Sequence, residues 1–188
     1  MAIEIHTPEY VTDWATGAVR GSDVVGAERR IADLDGVFAD AEAFAQLAAD
    51  RLVYRTDCVF PVPEGTEGGL FWGTTFIQPG MVGEEYFMTK GHFHAKGDRM
   101  EAYFTFAGTG LLLLMDTDRH CWAEEMTPGS THLIPAYTAH RTLNTGDDVL
   151  SFGACWPSDA GHDYGSIADA GFSARVMRVD GAPQVVSV

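Results

Sequence analysis

The alternation of apolar and polar positions changes character near residue 51. Before it, Asp40 to Ala49 is rich in strong helix formers. Phe44, Leu47 and Ala48 recur there at helical spacing, with acids in the first turn, which predicts a helix over 39–50. After it, short apolar or alternating runs predict strands over 52–60, 70–78, 86–94, 100–106, 109–115, 120–126, 131–134, 140–144, 149–156 and 174–179. Gly and Pro punctuate them at Pro63-Glu64-Gly65, Pro79-Gly80, Gly108, Pro128-Gly129, Pro135 and Thr145-Gly146-Asp147. Many short strands at nearly regular spacing predict a mainly β protein built as one sandwich or barrel. The expected division is an extension over 1–51, with its helix packed on the barrel, and a β-barrel domain over 52–188.

Composition narrows this picture. The 188 residues suit one domain with a sizeable core, and 46% hydrophobic residues exclude a disordered acidic tail. A net charge of −15 excludes the basic stripe that nucleic acid or anionic lipid requires. Residues 1–50 hold ten acids against three bases, so about half of the excess lies outside the expected barrel. Lys90 and Lys96 are the only lysines, and they flank His92 and His94. Three widely separated cysteines, Cys58, Cys121 and Cys155, make neither a disulfide framework nor a metal knuckle, as expected of a reducing cytoplasm. The N-terminus lacks the pattern of a signal peptide, and the apolar run Leu111 to Met115 is too short to span a bilayer. The expectation is a cytoplasmic protein without a membrane or nucleic-acid partner.

Candidate chemistry concentrates in Thr89-Lys90-Gly91-His92-Phe93-His94 and in Glu101, after six intervening residues. On a strand, His92 and His94 project to one face while Phe93 points away. In the next strand Glu101, Tyr103 and Thr105 share a face. His140 follows another turn at Pro135. A His-x-His pair alone is commonly an ordinary surface pair; Glu101 and His140 raise it to a metal site. Three imidazoles and one carboxylate suit iron, nickel, zinc or manganese, with coordination positions left for substrate or water. His6 and His120 read as surface residues and His132 as structural.

The pattern of His92, His94, Glu101 and the distal His140 resembles the cupin superfamily, small β-barrels (double-stranded β-helices, or jelly rolls) with metal in the mouth. Thr89 to Lys96, Asp98-Arg99, Ala139 to Thr142, Asp159 to Gly165 and Gly171-Phe172 resemble, more narrowly, the cupin-type glucose-6-phosphate isomerases. The resemblance covers roughly residues 52–180. It implies a homodimer interconverting glucose 6-phosphate and fructose 6-phosphate with one divalent metal per subunit, iron first. Its ligands would be His92, His94, Glu101 and His140. Thr75, Thr89 and Gly91 would meet the sugar phosphate, with Tyr103, Tyr137, His162 and Tyr164 around the sugar. Lys90 joins this set, and Lys90, Lys96 and Arg99 are expected to make a local positive pocket for one phosphate dianion. Gly97 and Thr138 depart from the family pattern, and Tyr54 lies where the match is weak.

Aldose–ketose isomerisation moves hydrogen between C1 and C2 of the open-chain sugar. A base near both carbons supports a cis-enediol route; a carbonyl polarised by metal supports a hydride shift. Glu101 fits the proton shuttle, and His162 or Tyr164 fits ring opening. Against this stand blander readings: Thr75 and Thr89 as β-formers, Tyr103 and Tyr137 as core aromatics, Lys90 and Lys96 as edge-strand charges. The competing functions are a cupin dioxygenase, another sugar-modifying cupin, or a non-enzymatic sugar-phosphate-binding cupin.

Overall fold

The structure, a computed structural model, describes residues 3–188. The N-terminal part holds β1 (Val11–Thr12), β2 (Val19–Arg20), β3 (Val25–Arg30), a 3-10 turn at Ile31–Asp33 and α1 (Ala41–Ala45). Then follow β4 (Leu52–Val59), β5 (Leu70–Ile77), β6 (Met81–Val82), β7 (Glu85–Tyr86), β8 (Glu101–Ala107) and β9 (Gly110–Met115). The chain ends with β10 (Cys121–Met126), β11 (Thr131–Ile134), β12 (Ala139–Asn144), β13 (Leu150–Pro157), α2 (Gly165–Ala170), β14 (Ala174–Val179) and β15 (Ala182–Ser187). This is the mainly β architecture the punctuation predicts.

One layer is an antiparallel sheet in the order β11-β8-β13-β5-β4-β3. The other combines β10-β9-β12 with β15-β14-β7-β6. Isolated bridges from Met88 to Leu143 and from His92 to His140 join its two halves. Leu112, Leu113, Leu114 and Met115 of β9, with Phe87, Ile134, Leu143, Leu150 and Phe152, belong to the core at 1% exposure or less. β9 reads as a continuous apolar run because it is the central strand of its sheet and buries both faces. Gly108 turns β8 into β9 at φ +78, where a Cβ would stand 2.5 Å from the Val149 carbonyl oxygen.

Two expectations are corrected. The helix over 39–50 shrinks to Ala41–Ala45, capped by Asp40, whose carboxylate accepts from Ala43 N. The chain then leaves the helix because the carbonyls of Ala49 and Arg51 are taken by Ala32 N and Ile31 N. Of the strand over 86–94 only Tyr86 lies in a strand, Glu85–Tyr86, with isolated bridges at Met88, His92 and Phe93. Gly91 at φ +76 breaks the extended run, and Phe87 and Met88 are buried in succession rather than alternately. The extension supplies more than a helix: β3 pairs with β4 from Val25↔Cys58 to Arg30↔Leu52. β3 escapes a reading by hydrophobic alternation, since it is a polar edge strand, as does the exposed β15.

Candidate metal centre and substrate cavity

The four predicted ligands come from three separate pieces of chain. His92 and His140 exchange backbone hydrogen bonds at 3.3 and 3.1 Å, which sets their rings 4.4 Å apart between centroids. His94 stands at the start of the turn to β8, and its Nδ1 lies 2.8 Å from the Arg99 carbonyl oxygen. Donation from Nδ1 leaves the lone pair of the neutral ring on Nε2, the form a metal ligand needs. His140 Nδ1 makes the analogous contact with the Thr138 carbonyl at 3.3 Å. Glu101 opens β8, and its Oε2 is 3.2 Å from His94 Nε2 and 3.1 Å from His140 Nε2.

All four residues offer a ligand atom within 4.8 Å of one another. That spacing is of the order required by an ion with bonds of about 2.0–2.2 Å. His92 Nε2 and His140 Nε2 are buried without a hydrogen-bond partner; His140 Nε2 is close to Glu101 but not aligned for donation. Buried polar atoms are rarely left so, and their common aim at one point fits a bound cation. The donor set therefore fits a divalent metal.

Lysine and arginine clamp the turn that delivers His94. Asp159 accepts from Lys96 Nζ at 2.8 Å, Arg99 Nε at 2.9 Å and Arg99 Nη2 at 2.8 Å. Lys96 and Arg99 are thus neutralised and do not line the cavity beside the donor cluster, which corrects the expectation that they help make a phosphate pocket. Arg99, then Lys96, hold the Asp159 carboxyl well below the usual carboxylate range.

A cavity of about 520 Å³ opens beside the donor cluster. Of the residues expected at the sugar phosphate, Thr75, Thr89, Lys90, Gly91, Tyr103, His162 and Tyr164 line it together with His92, Glu101 and His140. His162 sits 4.5 Å from His92 between ring centroids, and Tyr164 stacks on His162 at 5.6 Å and 5°. Tyr137 stands apart: it is 58% exposed, at φ +60, and does not line the cavity. Its ring covers Gly97 so closely that a Cβ there would come within 2.7 Å, so the departure at Gly97 makes room for Tyr137. The sequence reading left Arg29 and Trp156 out of the site and gave only a weak match at Tyr54, and all three line the cavity. Arg29 belongs to the polar strand β3, and it faces Tyr54 across the register. His132 stays structural, held between Glu124 and Ser130.

Burial sets the electrostatics. It drives His92 well below the ordinary imidazole range, helped by the charges of His140, His162 and His94, and it lowers His162. Both rings are neutral at neutral pH. For His94 burial acts downward, but the hydrogen bond and charge of Glu101 outweigh it and raise the ring. Burial acts upward on Glu101, and contacts with His140 and His94 overcome it, so the carboxylate stays ionised. Burial raises Tyr103 and Tyr164 and pushes Tyr54 up to about 12, so all three phenols keep their protons.

Comparison with known proteins agrees with this geometry. The family model described as "Glucose-6-phosphate isomerase (GPI)" matches residues 28–186. The chain is 43% identical over 175 residues to the glucose-6-phosphate isomerase of Thermococcus onnurineus, covering 93% of this chain and 90% of that one. It is 44% identical, with the same coverage, to the enzyme of that name from Thermococcus kodakarensis. A putative glucose-6-phosphate isomerase of Rhizobium meliloti is 40% identical over 170 residues, 88% of this chain and 78% of that one. A solved oxalate decarboxylase from Bacillus subtilis aligns with 58% of this chain and 26% of its own, at 16% identity and a TM-score of 0.47. The chain belongs to the glucose-6-phosphate isomerase family.

Proposed function

We propose that the protein is a metal-dependent aldose–ketose isomerase that interconverts glucose 6-phosphate and fructose 6-phosphate. The observation that carries the reading is the convergence of His92, His94, Glu101 and His140 on one point beside a cavity large enough for a hexose phosphate. A divalent ion held by these four would polarise the sugar carbonyl as a Lewis acid, a contribution of several kcal/mol. Iron is the first choice, with nickel, zinc and manganese suited to the same donors.

The chain's own residues supply binding and proton transfer. Thr75, Thr89 and Gly91, with the ammonium of Lys90, receive the phosphate; Tyr103 and Tyr164 keep their phenolic protons and donate to sugar oxygens. Glu101 is ionised and buried in the cavity wall, so it can take the C2 proton of the open-chain aldose. The electron pair of that C–H bond forms the C1–C2 double bond, the C1 carbonyl π pair moves to O1, and O1 takes the proton that the C2 hydroxyl gives up. Return of the first proton from Glu101 to C1, as the C2–O bond becomes the carbonyl, leaves the ketose. Neutral His162 is placed to move the ring-opening proton. We also assign a homodimer and a cytoplasmic location. Among the described residues no helix is long and apolar enough to cross a membrane.

A coupled assay of fructose 6-phosphate isomerisation tests the reading. Turnover without oxygen consumption is the expected result. Oxygen uptake on sugar addition would instead identify a dioxygenase, and tight sugar-phosphate binding without turnover a sensor. Run in deuterated water, isomerisation through the enediol introduces deuterium at the transferred position; full retention of the substrate hydrogen would assign a hydride shift.

A further inference from the structure

The cavity beside the donor cluster is electrically uneven along its length. Among the described residues its only cations are Arg29 and Lys90. Both also line an adjoining cavity of about 350 Å³, so positive charge gathers at that one end. Strand register gives the direction away from it. On β5 the cavity-lining positions run Thr75, Gly73, Phe71, and β13 pairs Trp156 with Phe71. The same strand pairs Cys155 with Ala102 of β8, so Glu101, one residue further, comes level with Trp156 and Phe71. From Thr75 to Phe71 is four residues, about 13 Å at roughly 3.3 Å per residue. That is a length suited to an extended hexose with its phosphate and a contact at each end.

The far end has a different character. Phe60, Phe71 and Trp156 pack edge to face there, with ring centroids 4.9, 5.9 and 6.5 Å apart. Glu64 is the one acid in the cavity wall besides Glu101 among the described residues. It belongs to the loop between β4 and β5. Gly65 N donates to the Ser158 carbonyl at 2.9 Å and Ser158 Oγ to the Thr66 carbonyl at 2.6 Å, which hold this loop against the chain leading to His162. Glu64 is exposed and stands in no ion pair among the described residues. Burial dominates the lowering of His162 and the charges of Glu101 and Glu64 oppose it, so the Glu64 carboxylate is felt beside the donor cluster.

We propose that Glu64 is a specificity-determining residue, whose carboxylate closes the far end of the cavity to a second phosphate, so that hexose monophosphates are accepted and hexose bisphosphates rejected. On the isomerase reading, on which this assignment rests, the 6-phosphate sits at Lys90 and the reacting carbons at Glu101. O1 is then the sugar oxygen nearest Phe71, Trp156 and Glu64. A hydroxyl at that position is neutral. A phosphoryl group would bring a dianion toward a carboxylate in a site walled by aromatic rings, where the repulsion is screened less than in bulk water. Repulsion of this kind discriminates between ligands that the rest of a site fits equally well.

Glucitol 6-phosphate and glucitol 1,6-bisphosphate, titrated by calorimetry into metal-loaded protein, test the assignment. Both are open-chain polyols without a carbonyl, so they bind without turning over, and they differ only at O1. The parent protein is expected to prefer the monophosphate by about tenfold or more, and Glu64→Gln to lose most of that preference. Glu64→Asp keeps the charge and should keep part of the preference. Glu67→Gln removes a charge from the same loop at a position that does not line the cavity, and leaves the preference unchanged. The difference between the parent and Glu64→Gln narrows with added salt, which a change in loop packing would not produce. An unchanged preference in Glu64→Gln, an equal loss in Glu67→Gln, or no binding of glucitol 6-phosphate to the parent overturns the assignment. Isomerisation is assayed separately on the same preparations: absence of turnover ends the isomerase reading, while the affinities report on Glu64, so the two failures are told apart.

Discussion

Asp159 touches no ligand atom of the metal cluster, yet replacing it by Asn tests how the cluster is held. Its carboxylate accepts three charge-assisted hydrogen bonds from Lys96 and Arg99, and these fix the turn whose Arg99 carbonyl orients His94. Asn keeps one acceptor oxygen and turns an amide N–H₂ toward two cations. The turn loosens, His94 loses its fixed tautomer and direction, and metal affinity falls by about 10–100-fold, the usual effect of losing an outer partner of a ligand. Lys96→Ala is the comparison: its side chain is 55% exposed, so removing it costs no more than about fivefold. The assay is competition for Zn²⁺ against a chromophoric chelator at pH 7.5, with thermal unfolding measured alongside. Affinity within twofold of the parent, in a variant whose lowered Tm shows the clamp is broken, would refute the argument.

The same clamp predicts a pH dependence. Asp159 is depressed in the folded state, so between the folded and unfolded values the unfolded chain binds more protons and stability rises with pH. Its contribution is complete above the ordinary carboxylate value of about 4 and is lost as pH falls further; acid unfolding of Asp159→Asn should be flatter below pH about 4, and an unchanged slope would remove the clamp as its cause. Glu101→Gln should cut turnover by about 10²–10⁴, with metal content measured on the same sample. Full metal occupancy with turnover within tenfold of the parent would exclude Glu101 as the shuttle. Gly91→Ala forces a side chain into the left-handed region and within 2.8 Å of Phe172. A cost of about 1–3 kcal/mol is expected, or roughly 2–4 °C of Tm per kcal/mol; an unchanged melting curve would show that the turn at Gly91 is not required.

Most of the barrel was legible because its strands announce themselves locally. β9 runs apolar and is buried almost throughout, and burial largely alternates along β8 and β11. The ligand residues were legible for a different reason: Glu101 and the distal His140 turn a His-x-His pair, ordinary by itself, into the donor set of a metal site. What failed was tertiary. The helix over 39–50 had the composition of a helix, but the backbone of 49–51 pairs with 31–32 instead. Residues 87–94 had strand-forming side chains, but Gly91 and the long-range bridges to His140 and Asp163 decide their path. Lys96 and Arg99 looked like phosphate donors because their partner, Asp159, lies about sixty residues away in sequence. The family resemblance put Tyr137 around the sugar, yet its ring lies over Gly97 and outside the cavity. Arg29 was invisible because edge strands carry charge for reasons of their own.

The central claim joins four side chains, one metal and one reaction. It is tested most directly by measuring metal per chain and fructose 6-phosphate isomerisation on the same preparation, before chelation, after it and after reloading. The account predicts about one divalent ion per chain in the active protein, loss of ion and turnover together, and recovery of both. It also predicts that His92→Ala and His140→Ala hold less metal. Full occupancy without isomerisation, or undiminished turnover in the stripped protein, would contradict it.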